Sequence, residues 1–150
     1  MNEIKVFSPA SIANLSCGYD ILGVCLDNIG DEITVRKTKK KGVVIKKVSG
    51  QKLSTDISLN VAGVSATALL NETKVNCGFE IEIHKGIKPG SGIGSSAASS
   101  AGMWTCCAPL LELARVKPSR SPMTRTPEDL MPSTILREIS RVRSAAHSGS

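Results

Sequence analysis

A single globular domain containing both strands and helices is what this 150-residue sequence predicts, on three observations. The length and a hydrophobic content of 41% suffice for one buried core. Polar and apolar residues alternate with period two in short stretches, most clearly where Phe79, Ile81 and Ile83 are interleaved with Glu80, Glu82 and His84. Two helix-forming stretches complete the pattern, one opened by Asn60 and one rich in alanine behind Ser95 and Ser96.

Taken in order, Glu3 to Phe7 reads as a first strand that Ser8-Pro9-Ala10 interrupts. Residues 11–23 follow as a loop mixing glycines and small polar residues with apolar residues of the kind usually buried. On residue types alone it is a packed connection in which Asn14 and Asp20 form turns. Asp31 to Lys37 and Val43 to Val48 carry β-branched residues around Lys39-Lys40-Lys41-Gly42, which predicts a hairpin with a solvated basic tip. Asn60 to Leu70 has the apolar spacing of an amphipathic helix, with Asn60 as its N-cap. The strand at 79–84 puts His84 on its polar side, where a solvated histidine is expected rather than a ligand or base.

That strand delivers the chain to Lys85 and to Pro89-Gly90-Ser91-Gly92-Ile93-Gly94-Ser95-Ser96. Glycines at every second position give a backbone able to reach positive φ and to approach a ligand closely. Serine is a preferred N-cap, so the segment reads as a loop opening into a helix N-terminus. Orphan N–H groups and the positive end of the helix dipole make such an end an anion site. No Gly-Lys-Ser/Thr follows the glycines, and Ser95 stands where the dinucleotide fingerprint needs its third glycine, so a different phosphate cradle is implied.

Composition narrows the class. No run of eighteen apolar residues occurs, and Met-Asn-Glu-Ile-Lys leads into no signal-peptide core, so a soluble cytoplasmic chain without a membrane partner is expected. Five cysteines, odd in number and without Cys-x-x-Cys spacing, point to reduced structural thiols. The net charge of +6 is concentrated late in the chain, with seven Lys or Arg against three Asp or Glu over residues 115–150. Four prolines interrupt any helix there, so residues 115–150 are expected to be a disordered tail behind a domain of residues 1–114. Without interleaved aromatics or a repeat, that tail does not read as a nucleic-acid arm.

The segment Pro89 to Ala97 closely resembles the phosphate loop of the galactokinase, homoserine kinase, mevalonate kinase and phosphomevalonate kinase superfamily, the GHMP kinases. Their pattern is Pro-x-x-x-Gly-Leu-Gly-Ser-Ser-Ala; here Ile93 replaces the leucine and one residue fewer follows the proline. Pro9 to Gly23 is similar almost word for word to the first motif of the homoserine kinases, with Ser16 for a glycine and Tyr19 for phenylalanine. The resemblance implies an α+β fold, the N-terminal part of the GHMP fold, incomplete here: a mixed sheet packed on helices with an uncommon left-handed βαβ crossover. It implies an ATP:L-homoserine O-phosphotransferase of threonine biosynthesis, with ATP and L-homoserine as partners and a homodimer in the complete enzyme.

By the same resemblance Asn14 and Asp20 bind homoserine, and Asn60 and Lys85 border the nucleotide. Pro89, Gly90, Ser91, Gly92, Ile93, Gly94, Ser95 and Ser96 wrap the ATP phosphates, and Ser96 helps hold Mg2+. No catalytic base is identified; phosphoryl transfer needs mainly positioning and charge neutralisation. The motif-level resemblance ends near Gly102. The codons of Met103-Trp104-Thr105 permit Val-Asp in a shifted frame, so a frame-shifted, inactive fragment is one expectation for this chain. Glu112 and Glu128 match the context of the family's magnesium glutamate in neither case. The alternatives are another GHMP small-molecule kinase, of mevalonate or sugar type, and a non-catalytic nucleotide-binding fragment.

Overall fold

The alternating segments pair into a four-stranded sheet whose order departs from the order of the chain. In the computed structural model, which describes residues 2–18 and 21–112, the strands are β1 (Glu3–Ala13), β2 (Gly23–Thr38), β3 (Gly42–Gly50) and β4 (Gly78–Lys85). The helices are α1 (Val61–Thr73) and α2 (Ser95–Leu110), and 3-10 turns lie at Ser16–Gly18 and Ile57–Leu59. The sheet order is β1-β2-β4-β3. β2 is antiparallel to both β1 and β4, and β3 is parallel to β4, so the connection through α1 is a βαβ crossover.

Period two divides the sheet into two faces. Ile33 lies opposite Ile83, Val35 opposite Ile81, and Val43 and Ile45 on the other side of β4 lie opposite Phe79 and Ile81. These residues form one core with Ala62, Ala66 and Leu69 of α1 and Met103, Cys106, Cys107 and Leu110 of α2. Each buried Ile or Phe contributes about 1.5–3 kcal/mol. The opposite face carries the ion pairs Lys5–Glu32, Lys46–Glu80 and Arg36 between Glu3 and Glu82. Exposed pairs of this kind are screened by water and add little stability; they keep that face polar.

The expected hairpin does not form. Thr38, the last residue of β2, and Gly42, the first of β3, both pair with Gly78, so β4 enters between the two strands from its first residue. A Cβ on Gly78 would collide with the carbonyls of Lys40 and Gly42, so only glycine admits β4 at that point. The competition is decided by burial, since Phe79, Ile81 and Ile83 of β4 are each 2% exposed or less and need a neighbour on both edges. Lys39, Lys40 and Lys41 remain solvated at the tip.

Pro9 does not end the first strand, which runs on to Ala13 and pairs Ile12 with Val24 and Ala13 with Gly23. β1 is an edge strand and its register shifts between Pro9 and Ser11, the two circumstances in which a sheet tolerates proline. The expected connection of residues 11–23 is therefore shorter, and Ile21 and Leu22 in it are exposed while Ile12 and Leu15 are half-buried. The chain after Gly102 does not change character at once. α2 continues through it, and Met103, Cys106 and Cys107 are wholly buried. Burial pushes the Cys106 thiol up to about 12, that of an inert core group. The expected tail at 115–150 lies outside the described residues.

Candidate active site

The glycine-rich loop occupies the one connection between β4 and α2, and its backbone has the predicted form. Gly90, Gly92 and Gly94 have φ of 77°, 79° and 73°, in the left-handed region that disfavours any other residue. A Cβ on Gly90 or Gly92 would meet nothing within 4 Å, so open space lies over both and the backbone alone demands glycine there. Gly94 is different: its Cβ would come within 2.6 Å of Ser11 Oγ, because the loop is stitched to β1 by Ser11 N–H donating to the Ile93 carbonyl (3.2 Å).

α2 begins at Ser95, and its N-cap is Gly94 rather than the expected serine. No side chain caps it. Ser95 and Ser96 therefore fall in the first turn, and the helix presents its N-terminus beside three glycines, an arrangement able to receive an anion. Beneath the loop, Ala10, Ile87 and Ala98 form a small apolar cluster with Leu26 and Ile93, which anchors the loop from below.

Lys85 is not at the surface of this site. It is 2% exposed and its ammonium donates to Asp31, to the Ser95 carbonyl (3.0 Å) and to Ser99 Oγ (2.8 Å). Asn60 is likewise fully buried. Its Oδ1 accepts from Ala62 N–H (3.0 Å), as expected of an N-cap, and its Nδ2 donates to the Ser54 carbonyl (2.8 Å). That second bond tethers the wall of a concavity of about 540 Å3 lined by residues 48–54. Gln51 N–H in the same wall donates to the Lys85 carbonyl (3.0 Å), which joins the concavity to the end of β4. Asn14 lies at the end of β1 with φ 59°, and Asp20 lies outside the described residues.

Asp31 and Ser99 went unnoticed in the sequence, although the signal was present. Asp31 shares the strand parity of Ile33 and Val35, and Lys85 that of Ile81 and Ile83, so opposite charges stand on the core face of neighbouring strands. For magnesium the described residues are insufficient: they contain no cluster of three or more His, Cys, Asp or Glu able to hold a metal. Ser96 offers one neutral oxygen to a cation that wants six.

Residues 60–121 match the family described as GHMP kinases N terminal domain. That segment carries the GHMP kinase N-terminal domain. The match passes Gly102, in keeping with the uninterrupted α2. The chain is 44% identical over 116 residues to a homoserine kinase of Methanococcus maripaludis, covering 75% of this chain and 38% of that protein. It is 37% identical over 113 residues to a homoserine kinase of Xylella fastidiosa, covering 74% and 35%. Among solved structures, homoserine kinase from Cytophaga hutchinsonii superposes with a TM-score of 0.72 at 33% identity, over 100% of this chain and 44% of that one. The mevalonate kinase of Methanococcus jannaschii, at a TM-score of 0.56 and 12% identity over 97% and 47%, shares the fold. The chain thus spans well under half the length of the curated relatives it matches. The mixed sheet covered by helices is that of the GHMP kinase N-terminal domain.

Proposed function

We propose that this chain supplies the nucleotide-binding part of a homoserine kinase, which transfers the γ-phosphate of ATP to the hydroxyl of L-homoserine to give O-phospho-L-homoserine. The observation that carries the reading is the loop of three positive-φ glycines opening into a helix N-terminus without a side-chain cap. Backbone N–H groups from Gly90 to Ser96 hold the phosphates, where a helix dipole contributes about 0.3–1 kcal/mol per anion. Asn60 acts on the adenine end through the Ser54 wall of the adjoining concavity. Ser96 would lend one oxygen to magnesium, which would neutralise phosphate charge there; the described residues hold no cluster that completes its shell.

Asn14 and Asp20 hold homoserine, the carboxylate meeting its ammonium in a charge-assisted hydrogen bond. With acceptor and phosphate held in line, positioning and charge neutralisation do most of the work, and no strong base is required. Homoserine is favoured over mevalonate because the segment Pro9 to Gly23 fits the homoserine kinase motif, and the relatives at 44% and 37% identity are homoserine kinases. The reaction belongs to threonine biosynthesis in the cytoplasm, and among the described residues no helix is long and apolar enough to cross a membrane.

Calorimetry of the chain with ATP, beside Gly92→Val, is the test. A valine Cβ at φ 79° strains the loop and fills the open space above it, so ATP affinity should fall at least about tenfold. Unchanged affinity overturns the loop assignment. In an ADP-release assay the chain should respond to homoserine and not to mevalonate, slowly, because its described residues hold no cluster of side chains able to bind magnesium. Turnover with mevalonate alone moves the reading to a sibling kinase, and binding with no turnover identifies a nucleotide-binding module.

A further inference from the structure

At the end of the sheet nearest the loop, the core face turns from apolar to polar along a row that crosses three strands. Ser8 of β1 pairs with Asp31 of β2, and Lys85 of β4 stands one residue beyond the pair Glu32–His84. All three are buried on the face that elsewhere carries Ile33, Val35, Ile81 and Ile83. Each reaches the first turns of α2. Ser8 Oγ donates to the Ala98 carbonyl (2.7 Å), Lys85 Nζ to the Ser95 carbonyl and Ser99 Oγ, and Ser99 Oγ to Asp31 Oδ2 (3.1 Å). The other oxygen of Asp31 accepts from Gly86 N–H and Ile87 N–H, both at 3.1 Å, where the loop leaves β4.

Asp31 therefore grips both ends of the glycine loop, its first two amides directly and its helix through Ser99 and Lys85. An apolar row of equal volume would stabilise the sheet as well as or better than a buried ion pair does. An apolar row could not hold the loop amides. Lys85, with its protons on Asp31, Ser95 and Ser99, faces inward and acts on a ligand only through the loop.

We infer that Asp31 is a positioning residue: with Lys85 and Ser99 it sets the glycine loop and the first turn of α2 in the arrangement that receives phosphate. The inference rests on the nucleotide reading of the loop given above. It makes the buried pair a specificity device in the site rather than a general prop of the fold.

Three variants test it in the full chain, with amide exchange and ATP calorimetry as separate readouts. Ser99→Ala leaves the ion pair and its bond to the Ser95 carbonyl but cuts its side-chain link to α2, and Ser99→Thr restores the hydroxyl. The double variant Asp31→Leu with Lys85→Met removes both charges together, so no unpaired charge is buried and the fold is kept. In Ser99→Ala and the double variant, exchange at Gly86, Ile87 and Ala98 should quicken about tenfold or more, the effect of losing one charged hydrogen bond. Exchange at Val35 and Ile81 should stay within about threefold. ATP affinity should fall in parallel and return in Ser99→Thr.

Equal acceleration across loop and sheet, or none in the loop, overturns the inference, because the row would then be merely structural. Faster loop exchange with unchanged ATP affinity also overturns it, since the arrangement would not matter to phosphate. If the unaltered chain binds no ATP while loop exchange responds selectively, the nucleotide reading fails and the grip on the loop stands.

Discussion

The two helices cover the same face of the same sheet, yet their N-termini are built in opposite ways. α1 is closed: Asn60 is wholly buried, its side chain occupies the Ala62 amide, and a 3-10 turn capped by Asp56 packs in front of it. α2 is open: its N-cap is a left-handed glycine without a side-chain hydrogen bond, preceded by two more glycines over open space. A helix end that only has to fold satisfies its own amides. The end proposed to bind an anion has no side-chain cap, and the Asp31–Lys85 row lies beneath it.

The largest effect should come from removing what the two helices share. Ile81 is fully buried at the centre of β4, between Val35 and Ile45. Ile81→Ala should lower stability by about 2–5 kcal/mol in urea unfolding, and both helices should lose amide protection together. If α2 loosens while α1 does not, the single core fails as a description.

Next comes the open end. Gly94→Ala places a Cβ at φ 73° and against Ser11 Oγ, so it should cost about 1–2 kcal/mol or more and weaken ATP binding as well. Gly90→Ala has the same strain without the collision and should cost less. Equal losses at the two sites would mean that the stitch between loop and β1 is unimportant.

The closed end should matter less to binding than the open one. Asn60→Ala removes the cap and leaves the Ser54 carbonyl without its partner, for a loss of about 1–2 kcal/mol. Its effect on ATP affinity should be smaller than that of Gly92→Val. A larger one would show that α1 is a second open end.

The smallest effect is one of pH. Hydrogen bonds from the Ser58 hydroxyl and amide hold the Asp56 carboxyl below its ordinary value. A depressed folded value means stabilisation that is complete above the unfolded value of about 3.9 and is lost as pH falls through the folded one. Thermal unfolding below about pH 4 should therefore show a slight loss that Asp56→Asn does not show. A loss appearing near neutral pH would point to another group.

The sequence by itself determined the parts whose physics is local. The period of Phe79, Ile81 and Ile83 fixes which face of β4 is buried, and the helix opened by Asn60 has its cap where the residue types put it. The glycines of the loop adopt the positive φ that their spacing foretold. The motif around it was enough to point to the family. Tertiary structure decided what depends on distant partners. Two strands joined by a short basic turn are separated by β4, because burying three large side chains on both edges outweighs the ease of closing a short connection. Pro9 continues a strand because that strand lies on an edge. Asp31 and Lys85, 54 positions apart, meet only when β4 lies beside β2; parity puts each charge on a buried face, but the sheet order decides that they neutralise one another.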